Sequence, residues 1–244
     1  TGSTVAAGDV TWQISGDTAQ ITDGPGQLSA GGAINLHCAA GDGACRVVSQ
    51  RDLTLAAGRL NTQADIETAA GRDLTIQADL DSGRRLDSGG DLRIAAAAGD
   101  IRSTGSLRAA GDMTLVTAAG AQLILDGSLV AGGELYLQGD GSYRHDATGT
   151  QQIGGQRHID LYELVNQGVL ADLADGALRV SRLDNQGLIE NQGALRLQVD
   201  ERLDNSGLIV SLEGAVDIGH RLPGEVTGQI HNSGLITALD LTNN

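Results

Sequence analysis

The sequence predicts an all-β fold, a right-handed parallel β-helix wound as one solenoid. Three observations lead there. A phrase of the type Gly-Asp-Leu-Thr-Leu recurs about once every twenty residues along the 244-residue chain. Within each copy apolar residues alternate with polar ones, the period of a strand with one buried face. No stretch carries a sustained 3.6-residue apolar period with caps, which leaves helices no place in the main body.

The phrase reads Gly8-Asp9-Val10-Thr11-Trp12, Gly32-Ala33-Ile34-Asn35-Leu36, Arg51-Asp52-Leu53-Thr54-Leu55 and Arg72-Asp73-Leu74-Thr75-Ile76. It returns at Gly90, Gly111 and Gly133, with weaker copies from Arg157, Gly176, Gly193, Gly214 and Ala238. The first apolar residues serve as markers: Val10, Ile34, Leu53, Leu74, Leu92, Met113, Leu135, Ile159, Leu178, Leu195, Val216 and Leu239. Their mean spacing of about 21 residues gives an expectation of about 12 coils of roughly 20 residues, each rising about 4.8 Å. A second apolar element follows the phrase, as in Leu60-Asn61-Thr62, Leu80-Asp81-Ser82, Ile101-Arg102-Ser103, Leu183-Asp184-Asn185 and Leu203-Asp204-Asn205. Four copies of Asn-x-Gly-apolar-apolar begin at Asn166, Asn185, Asn205 and Asn232. Asn tolerates and Gly prefers the left-handed region, so each is a tight turn feeding a strand. Stacked in register, the four Asn side chains would form an amide ladder; four independent turns are the alternative.

Composition agrees with a thin coil. There is no Phe, and Trp12, Tyr136, Tyr143 and Tyr162 are the only aromatic residues; an interior of Leu, Ile, Val and Ala leaves little room for rings. Only two Pro occur, as suits strands that must donate to coils above and below. The net charge of −15 disfavours nucleic acid, and no 18-residue apolar run is present to span a membrane. Residues 1–244 read as a single domain with loop insertions near 38–45, 139–155 and 219–229. Both ends fall within the repeat, so the chain is expected to be a segment of a longer protein. Cys38 and Cys45 flank six residues rich in Gly and Ala, and a disulfide between them would staple a protruding loop in an oxidising compartment.

Three features of the sequence bear on chemistry. Asp52, Asp73, Asp91, Asp112 and Glu134 hold one slot in five successive copies. Such a column either binds a divalent cation or has each carboxylate accept backbone N–H at a turn; the second reading is preferred, because Ca²⁺ takes six to eight oxygens. The pattern breaks near Gly139, and Tyr143, Arg144, His145 and Asp146 form a candidate contact loop there, with His158 and Tyr162 just after it. A carbohydrate-binding or carbohydrate-cleaving β-helix is the alternative function. Four aromatic residues are few for holding sugar, and no Ser-His-Asp or metal-ligand spacing stands out. No catalytic residue, metal or cofactor is therefore expected.

The strings Gly71-Arg72-Asp73-Leu74-Thr75-Ile76, Leu203-Asp204-Asn205-Ser206-Gly207-Leu208-Ile209 and Gly193-Ala194-Leu195-Arg196-Leu197 resemble the haemagglutinin repeats of filamentous haemagglutinin. The same repeats occur in contact-dependent growth inhibition exoproteins of Gram-negative bacteria. The resemblance covers nearly all of the chain and is weakest over Gly139–Gly155. It implies a large secreted cell-surface protein exported through an outer-membrane two-partner secretion transporter. It further implies a filament that meets a host or bacterial cell-surface receptor, or carries a toxin on its tip. The family's amino-terminal Asn-Pro-Asn motifs are missing and no toxin sequence is visible, so export signal and toxin are expected outside this chain. The expected product is a monomeric shaft segment.

Overall fold

The structure, a computed structural model, describes residues 3–6, 10–14, 18–21, 26–30, 33–38, 45–146, 150–220 and 228–238, with side chains described for residues 28–30, 34–36 and 45 onward within these, except 175. Every regular element among them is a strand, and every pairing is parallel. The chain winds as a parallel β-helix with three rows of strands per turn. Each strand hydrogen-bonds to its counterpart about 21 residues on.

In the first row one inward column runs Leu53, Leu74, Leu92, Met113, Leu135, each the register partner of the next. The second row stacks Ile34, Leu60, Leu80, Ile101, Leu123, Tyr143, Leu164, Leu183 and Leu203. The segments after the repeated phrase thus form a row of their own. Long strands such as Leu53–Thr62 and Leu195–Asn205 run through the bend between these rows, which joins both into one 17-stranded sheet. The third row stacks Val47, Ile66, Leu86, Leu107 and Leu129 in a seven-stranded sheet that ends at Gln151–Ile153. It resumes as a separate four-stranded sheet stacking Leu170, Ile189, Ile209 and Ile236.

About eight regular turns result, fewer than the 12 expected. The same phrase serves two different corners of the coil. Val10 pairs with Ile34 and Ile34 with Leu60, so these two markers belong to the second row; Leu28 holds the first-row place beside Leu55. Leu239 lies outside the described residues. Two later markers sit one slot further along their strand: Leu137 pairs with Ile159, Ile159 with Leu178, and Leu178 with Leu197. Leu135 is partnered by Arg157, an arginine in an aliphatic column.

Within the expected insertion at 139–155 the described residues include two regular strands. Ser142–His145 continues the second row and Gln151–Ile153 the third. Residues 39–44, 147–149 and 221–227 lie outside the described part. Cys45 opens the strand Cys45–Ser49 facing the interior, fully buried and disulfide-bonded. Its end of the cross-link is therefore anchored in the core rather than in a protruding loop. The chain's other cysteine is Cys38, whose side chain is not among those described.

The core is one continuous cluster along the axis. Strands alternate buried and outward residues, as in Leu74–Ser82. Stacking keeps aliphatic residues over one another along most of each column, so apolar area is removed from water turn after turn without thickening the core. Among the described residues Tyr143, only 3% exposed, places a ring in an interior expected to leave little room for one.

Leu74→Asp or Leu195→Asp places an unpaired carboxylate in this column and should cost more than about 4 kcal/mol. Gln77→Asp, outward on the same strand as Leu74, should stay within about 0.5 kcal/mol. Urea unfolding of the three variants tests the inward assignment, and equal midpoints would refute it.

Candidate functional site

The acidic column stands at the corner leading into the first row. Asp52 Oδ1 accepts the backbone N–H of Asp73 at 3.2 Å. Asp73 accepts that of Asp91 at 2.9 Å, Asp91 that of Asp112 at 2.8 Å, and Asp112 that of Glu134 at 2.8 Å. Each carboxylate satisfies a donor of the following turn that the strand ladder leaves over. A Cβ on Gly111 would collide with Asp91 Oδ1, and one on Gly133 with Asp112 Oδ1. The Gly-Asp spelling therefore records a pair between turns: the aspartate below needs the glycine above. Where Arg72 replaces that glycine, the bond is the longest of the four. Among the described residues no group of three or more His, Cys, Asp or Glu is placed to hold a metal ion.

Asn166, Asn185, Asn205 and Asn232 stack as an amide ladder. Each Nδ2 donates to the next Oδ1 at 2.7 Å, in all three steps. It also donates to a carbonyl of the next turn, that of Leu188, Leu208 or Leu235. Asn166 and Asn185 are fully buried and Asn205 nearly so. A second, solvent-facing ladder runs beside it: Gln167 Nε2 donates to Gln186 Oε1 at 2.9 Å, and Arg144 Nη2 to Gln167 Oε1. In the amino-terminal half buried hydroxyls turn the corners instead. Ser49, Thr68 and Ser88 each donate to a backbone carbonyl at 2.7 Å, as does Thr62. Sequence reading missed these, because a lone Ser or Thr in a strand gives no signal beyond its recurrence at the coil spacing.

The candidate contact loop is a strand, and half of it faces inward. Tyr143 and His145 are buried, 3% and 6% exposed, because the period of two turns every second side chain into the coil. Arg144 and Asp146 face outward and pair with each other at 3.0 Å. They border a shallow trough of about 290 Å³ with Ile124 and Glu163. The four residues do not form one exposed patch. A further trough of about 500 Å³ follows along the same row, lined by charges already paired, such as Arg182 with Glu201 and Arg202 with Asp204.

A cluster that sequence reading did not assemble lies on the outer face of the first row. Tyr136 and His158 occupy one register position in successive turns and stack at 4.3 Å, nearly parallel. Glu134 accepts from the Tyr136 hydroxyl and meets His158 Nε2 at 2.8 Å. These hydrogen bonds, first that from Tyr136 and then that from His158, hold the Glu134 carboxyl below its ordinary range. The bond to Glu134 pushes the Tyr136 phenol up to about 12. Arg182 lies over the Tyr162 ring at 5.2 Å. With Tyr143 buried and Tyr136 stacked on His158, the three tyrosine rings are all engaged within the protein.

No protein-family model, curated protein or solved structure matches the chain. Among the described residues no helix is long and apolar enough to cross a membrane.

Asn185→Ala removes a buried rung and leaves the Asn166 amide with only its bond to the Leu188 carbonyl, and should cost about 2–3 kcal/mol; Gln186→Ala on the exposed ladder should cost less than about 0.5 kcal/mol. Denaturant midpoints of the two variants separate a structural ladder from four independent turns. Glu134 binds its proton less readily folded than unfolded, so its contribution is present above about pH 4.5 and is lost as pH falls below that. Melting curves at pH 6 and pH 3 should therefore converge for Glu134→Gln relative to wild type.

Proposed function

We propose that this chain is a shaft segment of a large secreted bacterial surface exoprotein of the haemagglutinin-repeat type. The observation that supports it is the transfer of one inward column from turn to turn, from Leu55 to Ile218 along the first row. A rod built this way gains length in increments of about 4.8 Å and resists bending through every strand ladder at once. Its outward side chains pair largely with each other, as in the Arg46, Glu67, Arg85, Asp87 and Arg108 network. Its role is to hold an adhesive or toxin-bearing end away from the cell, without catalysis in this segment. The resemblance of the repeated strings to haemagglutinin repeats supports the secreted setting, export through an outer-membrane two-partner transporter, and contact with a host or bacterial receptor by the full-length protein.

A spacer tolerates loss of whole turns and not of fractions. Deleting residues 92–112 or 178–196 removes one turn in register. In the full-length exoprotein either deletion should leave a folded product that still reaches the surface and engages its target. Deleting 92–101 alone should prevent folding. A folded whole-turn deletion that no longer engages the target would replace the shaft reading with a specific binding site in the deleted turn.

A further inference from the structure

Four polar side chains meet inside the coil where the third row is interrupted, between Gln151–Ile153 and Val169–Leu170. His145 is the register partner of Asn166, so it stands one step before the first rung of the amide ladder. Its Nε2 meets the Val169 carbonyl at 3.0 Å, as Asn166 Nδ2 meets that of Leu188. Its Nδ1 lies 3.0 Å from the Tyr143 hydroxyl, which accepts from Gln151 Nε2 at 2.7 Å. Arg157 takes the place of a leucine in the first-row column, its side chain only 11% exposed. Its Nη1 donates to the Ala171 carbonyl at 2.8 Å, while its Nε has no hydrogen-bond partner among the described residues. The backbone that supplies these carbonyls reaches Asp172, the one described non-glycine residue at positive φ, 56°. Ladder pairing thins here too: between Gln122–Leu125 and Ser142–His145 it stops at Leu123 and Tyr143.

We propose that this cluster is an acid-sensitive joint: neutral His145 closes it, and a proton on His145 opens the solenoid locally between two flanking blocks of turns that stay folded.

The contacts dictate the closed state. A carbonyl accepts, so Nε2 must carry the hydrogen, and Nδ1 is left to accept from Tyr143. A second proton on Nδ1 turns that acceptor into a donor facing the Tyr143 hydroxyl and the Gln151 amide, 3.3 Å away. It also adds positive charge near buried Arg157. The groups facing His145 are Tyr143 and Asp146 from its own segment, Gln151 from the third row, and Arg157, Asn166 and the Val169 carbonyl from the next turn. Of these Asp146 and the Val169 bond favour the charged ring; burial and Arg157 oppose it, and burial dominates, holding His145 below its ordinary 6.5. The unfolded chain therefore takes up the proton first, and stability is lost as pH drops below about 6.5.

Hydrogen exchange read by mass spectrometry on the whole 244-residue chain tests this, at pH 7.5 and 5.5 with intrinsic rates corrected. Protection over 142–173 should fall by up to about tenfold at pH 5.5, the value for a proton gained one unit below 6.5, while 53–117 and 178–211 hold. His145→Asn, which extends the amide ladder by one rung, should abolish the difference, and Arg157→Leu should shrink it. Equal loss of protection in all turns, or a pH difference retained in His145→Asn, overturns the joint. If His145→Asn does not fold, the wild-type comparison between regions decides alone.

Discussion

Everything in this molecule follows from parallel strands that repeat their register about every 21 residues. A parallel ladder commits each backbone group to a residue one turn away, so the chain must return to the same point with the same phase. A slip of one residue would turn an entire inward column to solvent. This constraint explains why Leu, Ile and Met recur where they do. It also explains why the polar residues that matter most are those that bring the chain back around its corners.

The corners show two chemistries for one task. Backbone donors and acceptors at a bend lie outside the ladders and must be satisfied locally or by the next turn. The amino-terminal turns use inward hydroxyls, Thr62, Ser49, Thr68 and Ser88, which pick up carbonyls of their own turn or the next. The carboxyl-terminal turns use Asn166, Asn185 and Asn205, whose amides reach both the next side chain and the next backbone. On the outside, the aspartate column extends the same logic to the entry of the first row. Between the two halves neither device is complete, and His145, Tyr143, Gln151 and Arg157 fill the gap.

The fold was legible because a period of two inside a period of about 21 leaves few alternatives. The amide ladder was legible for the same reason, since Asn recurs with its glycine at the coil spacing. The exact row was not. Gly32-Ala33-Ile34 and Gly90-Asp91-Leu92 look alike as strings, yet they enter different rows, because both corners need a small residue before an inward aliphatic one. The register after Leu135 slipped because Arg157 occupies an inward slot that pattern reading reserves for aliphatic residues. The break in the repeat near Gly139 points to a loop at Tyr143 and His145, although the alternation Ser-Tyr-Arg-His already places both on the inner face. The Tyr136–His158 stack was hidden, since the two residues are 22 apart and become neighbours only once the register is known.

Gln77 and Gln198 both face outward in one column of the first row, linked through Ala95, Val116, Gln138, Asp160 and Arg179. Six rungs at about 4.8 Å put them about 29 Å apart. Spin labels at these two positions, read by pulsed electron resonance, measure that separation directly. A single narrow distance near 29 Å is the predicted result; a distance below about 20 Å, or a broad spread, would contradict the stacked solenoid.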